Sequence, residues 1–152
     1  MKQILLFSDG SCLGNPGIGG WAYILRYKNH EKKEFGTNEL TTNNQMELTA
    51  VLKALKILKE PCKIELFTDS SYVANSINLW LDGWVKKNFK NVKNVELWKE
   101  YLSLSKPHQI TAFWVKAHAV HYMKSMHISC RNVITSGLEK SFRSLRHKQM
   151  RN

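Results

Sequence analysis

The 152-residue sequence predicts a single α/β domain built on a mixed sheet. Three observations carry this expectation. Apolar runs bounded by glycine or charge alternate with helical stripes in the order βββ-α-β-α-α-α-β. One helix has a clean apolar stripe, from Leu48 to Leu58. Two segments far apart in the chain nearly repeat each other, Leu6-Phe7-Ser8-Asp9 and Leu66-Phe67-Thr68-Asp69.

Ile4–Ser8 is an apolar run ended by Asp9-Gly10, the pattern of a buried strand followed by a turn. The glycine-rich stretch from Gly10 to Gly20 reads as a loop. Trp21–Tyr27 reads as a second strand, and Lys33–Gly36 as a third, polar enough to form a sheet edge. Together these suggest an antiparallel meander. Leu48, Val51, Leu52, Leu55 and Leu58 recur at the three- and four-residue steps of one helix face. Asn44 is the expected N-cap, with Glu47 three residues later, and Pro61 marks the exit. Ile64–Thr68 reads as a strand, and Ser70 as the cap of a helix reaching Leu79. Aromatics and lysines interleave from Trp80 to Asn94. A helix over Val95–Ser105 and a strand over Gln109–Val115 complete the pattern.

Composition bounds the function. Hydrophobic residues make up 43%, which argues against disorder. There is no apolar run long enough for a membrane helix, and the first residues reach an acid by Asp9, unlike a signal peptide. Cys12, Cys62 and Cys130 are odd in number and lack metal-ligand spacing, so a reducing, cytoplasmic setting is expected. The net charge of +11 favours a polyanionic partner, although charge alone also serves solubility. Over half of that excess sits in residues 119–152, where the only acid is Glu139.

The repeated strands are where chemistry is expected. In matched register as sheet neighbours, about 4.8 Å apart, they would set Asp9 beside Asp69. Two carboxylates that close repel unless a cation lies between them, and oxygen donors of this kind favour Mg²⁺ or Mn²⁺. A single aspartate at a strand end is more simply a turn residue; two at matched positions reverse that preference. Glu47 has two readings. Its helical phase can aim it over the sheet edge as a third carboxylate, but Asn44-x-x-Glu47 is also a capping box.

A family resemblance bears on this choice. Phe7-Ser8-Asp9-Gly10-Ser11, Gly14-Asn15-Pro16-Gly17, Gly19-Gly20, Thr42-Asn43-Asn44-Gln45-Met46-Glu47-Leu48 and Thr68-Asp69-Ser70-Ser71-Tyr72-Val73 stand in order. They are followed by Trp80–Asn94, Leu97-Trp98 and Trp114-Val115-Lys116-Ala117-His118-Ala119. Order and spacing resemble type 1 ribonuclease H over about residues 1–119. The resemblance implies a ribonuclease H-like five-stranded sheet, with β1–β3 antiparallel and β4 and β5 parallel. It implies an endonuclease that hydrolyses the RNA strand of RNA/DNA hybrids with up to two Mg²⁺ ions, for which Mn²⁺ can substitute. Products would carry 5′-phosphate and 3′-hydroxyl ends. A monomer is expected, since nothing in the sequence demands more.

By the same resemblance, Asp9, Glu47 and Asp69 are the metal-binding carboxylates, and His118 assists proton transfer or product release. Cys12, Gly14 and Asn15 would contact the RNA strand. So would Thr42, Asn43, Asn44 and Ser70, from the starts of two helices. Small groups there can approach the 2′-hydroxyls that mark RNA. Ser71 stands where many relatives carry glutamine. Trp80, Trp84, Lys86, Lys87, Lys90 and Lys93 resemble a basic protrusion that grips the DNA backbone without reading sequence. Trp80 is expected to lie partly in the core, and Trp84 mostly on the contact surface.

The resemblance breaks after Ala119. The family's fourth active-site carboxylate would fall at Ile128, and no acid lies between Glu100 and Glu139. The domain is therefore taken as residues 1–152 with an atypical segment over 120–152. One hypothesis is that this segment is an out-of-frame tail. Resequencing the gene and weighing the intact protein tests it, since an uninterrupted frame would remove the idea. The alternative function is a catalytically impaired relative that binds hybrids or RNA without turnover.

Overall fold

The computed structural model describes residues 1–116. His118, Ile128 and the atypical segment lie outside the described residues. Strands β1 (Lys2–Leu13), β2 (Gly17–Tyr27) and β3 (His30–Thr41) are followed by helix α1 (Asn43–Lys56) and strand β4 (Cys62–Thr68). Helix α2 (Ser71–Asn75), a π-helical segment (Ser76–Trp80), and helices α3 (Leu81–Lys86) and α4 (Val95–Ser105) come next. Strand β5 (Gln109–Trp114) closes the sheet, whose strand order is β3-β2-β1-β4-β5. Pairs β1–β2 and β2–β3 are antiparallel, and β1–β4 and β4–β5 are parallel, as expected of the mixed sheet.

The meander is longer than its apolar runs suggest. β1 continues through Asp9 and Gly10 to Leu13, paired with β2 back to Ile18, so most of the stretch from Gly10 to Gly20 is strand rather than loop. Backbone pairing needs no side chains, and a glycine-rich ladder carries no apolar alternation to read. Only the tip turns, where Gly14 has a φ of 73°, a backbone that glycine adopts without strain.

Helix α1 covers one sheet face. Leu48, Val51, Leu52 and Leu55 are buried as the stripe requires, and Leu58 packs at the margin just beyond the helix. They meet Leu6, Tyr23, Ile64 and Leu66 from the sheet, with Trp98 of α4 fully buried beside them. Each such leucine contributes about 1.5–3 kcal/mol when removed from water. The opposite face carries a smaller cluster of Phe7, Ala22 and Ile24. There Phe7, Phe67 and Phe113 stack across β1, β4 and β5 with centroids 5.3 Å apart at each step. Among the described residues, no helix is long and apolar enough to cross a membrane.

The second helix departs from expectation. In place of one α-helix from Ser70 to Leu79, α2 gives way after five residues to the π-helical segment. The wider i→i+5 bonding offsets the helical phase. Trp80 is consequently 43% exposed, while Trp84 is partly buried and packs edge-on against Trp98 at 5.6 Å. The expected roles of the two tryptophans are reversed.

Candidate active site

The two aspartate strands are sheet neighbours in the register their repeat suggests. Leu6 pairs with Leu66, Phe7 with Phe67 and Ser8 with Thr68. Asp9 and Asp69 are the next residues along each chain, just past the end of this pairing. Asp9 does not end its strand, however, because it still pairs with Ala22 of β2.

Helix α1 supplies the third acid through a close approach. A Cβ placed on Gly10 would sit 2.3 Å from the backbone nitrogen of Glu47, so only glycine lets the helix rest there. The helix begins two residues earlier than expected, with Thr42 as its N-cap, whose hydroxyl accepts from Gln45 N at 3.2 Å. Asn44 is therefore inside the first turn, and Glu47 has no capping position to fill. The capping-box reading of Glu47 falls, and its side chain is left to the site.

Single ligand oxygens of Asp9, Glu47 and Asp69 all lie within 4.8 Å of one another. Asp9 and Glu47 are buried and Asp69 is half-buried. The Gly10 amide donates to Asp9 Oδ1 at 2.9 Å. Trp114 Nε1 donates to the backbone oxygen of Asp69 at 3.1 Å, tying β5 to the end of β4. Burial pushes the Glu47 carboxyl well above the usual carboxylate range, the charges of Asp9 and Asp69 add to the rise, and the Gly10 amide opposes it. Glu47 Oε2 is buried and accepts no hydrogen bond. A buried acceptor facing two further carboxylates suits a hard divalent cation, so the donor set fits Mg²⁺ or Mn²⁺.

The expected substrate contacts gather around the same sheet end. Cys12 lies on β1 and donates its thiol to Thr41 O at 3.2 Å. Gly14 and Asn15 form the β1–β2 turn, which docks on α1 because Asn15 Oδ1 accepts from Asn43 N at 3.1 Å. Asn43 and Asn44 are exposed in the first turn of α1. Ser70 caps α2, accepting from Val73 N at 3.1 Å.

Lys86, Lys87, Lys90 and Lys93 are all exposed, on α3 and the segment after it. That segment turns through positive φ at Asn88, Phe89, Asn91 and Asn94, three of them asparagines, which tolerate this backbone. Two features escaped the sequence reading. One is the approach at Gly10, which the pattern suggested was a turn. The other is a hydrogen-bonded link between Gln45 and Asn94, for which local sequence gives no signal.

Comparison with known proteins bears on this geometry. A family model described as RNase H matches residues 1–127, slightly past the point where the motif resemblance stops. Ribonuclease H of Campylobacter concisus (strain 13826) is 69% identical over 121 residues, covering 80% of this chain and 84% of that protein. Ribonuclease HI of Helicobacter pylori (strain ATCC 700392 / 26695) is 60% identical over 121 residues, covering 80% and 85%. Among solved structures, LC9-RNase H1, described as a type 1 RNase H with the type 2 active-site motif, matches with a TM-score of 0.80. It is 23% identical, and the match covers 89% of this chain and 73% of that one. LC11-RNase H1, solved in complex with an RNA/DNA hybrid, matches with a TM-score of 0.67 at 16% identity, covering 89% and 99%. At such identities these two structures speak for the fold alone.

Proposed function

The chain belongs to the ribonuclease H family and is a ribonuclease H, and from that premise we propose that it hydrolyses the RNA strand of RNA/DNA hybrids at the carboxylate cluster. Asp9, Glu47 and Asp69 would hold up to two Mg²⁺ ions, with Mn²⁺ able to replace them. Bound there, the cations supply positive charge that activates an attacking water and stabilises the leaving 3′ oxygen. Cleavage would leave 5′-phosphate and 3′-hydroxyl ends.

The protein's own groups have separable tasks in this reading. The turn residues Gly14 and Asn15, with Cys12, Thr42, Asn43, Asn44 and Ser70, would meet the RNA strand, where small groups are suited to its minor groove. Trp80, Lys86, Lys87, Lys90 and Lys93 would hold the DNA backbone, with Trp84, packed on Trp98, supporting them from the core side. His118 would move a proton or help release product. The reading includes a monomer working in the cytoplasm.

The observation that carries it is the convergence of three acids, distant in sequence, within 4.8 Å, with a buried Glu47 oxygen lacking any hydrogen-bond partner. The test is cleavage of an end-labelled RNA/DNA duplex. Asp69→Asn should abolish cutting while leaving hybrid binding in place; cutting at the unaltered rate would place the chemistry elsewhere. A second reading rests on the lack of an acid at Ile128. With three carboxylates, one cation would be held well and a second weakly, so cutting should need more Mg²⁺ or prefer Mn²⁺. Binding without cutting, by folded protein with either metal, would favour the impaired relative.

A further inference from the structure

Building on the reading of residues 80–94 as the DNA-strand grip, we propose that Gln45, Asn94 and Tyr72 form a strut that positions this grip relative to the helix carrying Glu47. Asn94 occupies the N-cap position of α4 in a left-handed conformation, with φ 59° and ψ 36°, yet its side chain makes no cap hydrogen bond. An asparagine at this position ordinarily satisfies its own helix. Here its amide spans two other elements. Asn94 Oδ1 accepts from Gln45 Nε2 of α1 at 3.2 Å, and Asn94 Nδ2 donates to the Tyr72 hydroxyl of α2 at 3.1 Å. The same hydroxyl accepts from Trp98 Nε1 at 2.8 Å, and Gln45 Oε1 accepts from Thr41 Oγ1 at 2.9 Å. One hydrogen-bonded line thus joins the end of β3, the start of α1, the cap of α4 and the face of α2.

The placement of this line gives it a task. The lysine-bearing segment enters at Trp84, which packs on Trp98, and leaves at Asn94. Trp98 is fully buried and meets Tyr72 edge-on at 5.9 Å. The segment is therefore fastened at both ends to one aromatic and polar hub. Gln45, the α1 end of the line, lies two residues before Glu47. A duplex has a fixed width, so lysines that hold one strand help only when their distance from the carboxylates is fixed as well. Tyr72 and Gln45 act in this role through the lysines, as positioning residues.

The test is a double-mutant cycle on the full chain. The Kd for an RNA/DNA hybrid is measured by fluorescence anisotropy in EDTA, where nothing is cut. Tyr72→Phe removes only the hydroxyl, and with it the bonds from Asn94 and Trp98; hybrid binding should weaken about threefold to tenfold, the range expected for losing the Asn94 link. In a Lys86→Ala/Lys87→Ala/Lys90→Ala background the same change should have little further effect, because the grip it positions is gone. The kcat at saturating hybrid should hold. Gln45→Ala, at a partly exposed site, runs the same cycle should Tyr72→Phe fail to fold. Equal weakening in both backgrounds, or none in either variant, overturns the strut. A triple-lysine variant that binds like the unaltered protein overturns it differently, by removing the grip on which it rests.

Discussion

At Glu47, burial and two neighbouring aspartates act in the same direction, so the metal-free fold holds the carboxyl proton more tightly than the unfolded chain does. The sign of the pH dependence follows. A folded-state value above the unfolded one adds stability that is complete below the ordinary carboxylate range and is lost as pH rises through the higher folded value. The melting temperature in EDTA should fall as pH rises above the ordinary carboxylate range, and Glu47→Gln should flatten that fall. Each kcal/mol is worth roughly 2–8 °C. Added Mg²⁺ should raise the melting temperature of the unaltered protein at neutral pH and do much less for the variant. Gly10 acts at the same scale. Its hydrogen occupies space that a methyl would share with the backbone of Met46 and Glu47. Gly10→Ala should cost about 1–3 kcal/mol in overpacking and reduce cutting further by displacing Glu47. Denaturant unfolding with a cleavage assay separates the two effects.

Among the elements, the π-helical segment decides which tryptophan is structural. Trp84 packs against Trp98, so Trp84→Ala should destabilise the fold by about 2–3 kcal/mol, somewhat below the cost for a fully buried aromatic. Trp80→Ala should change stability by less than about 1 kcal/mol while weakening hybrid binding. Thermal melts beside hybrid titrations would show the two behaviours apart. The elements also show what sequence could reveal. The α1 stripe was legible because a helix repeats its buried positions, and the β1–β4 register because Leu-Phe-Ser-Asp and Leu-Phe-Thr-Asp announce it. The extension of β1 beyond Asp9 was not, since glycines pair through the backbone alone. The N-cap fell on Thr42 rather than Asn44 because either residue type can fill that position. The π-helical offset follows from backbone bonding that apolar spacing does not record.

For the whole molecule, the excess of positive charge and the exposed lysines after α3 favour association driven by counterion release. Each lysine that meets a phosphate should contribute about 0.7–0.9 to the slope of log K against log salt. Replacing Lys86, Lys87 and Lys90 by alanine should flatten the slope by about two to three, without altering the sequence tolerance of binding. A salt titration of hybrid affinity measures this directly.

The parallel pairing that ends at Ser8 and Thr68 makes the reaction centre depend on counting. Side chains alternate between faces, so one residue added within β4 would turn Asp69 to the opposite side of the sheet while leaving composition and hydropathy almost unchanged. Two added residues would restore its side but carry it roughly 6–7 Å along the strand, farther than Asp9 and Glu47 could follow. Evolution of this chain is thus free to lengthen its turns, yet held to a fixed number of steps between Cys62 and Asp69.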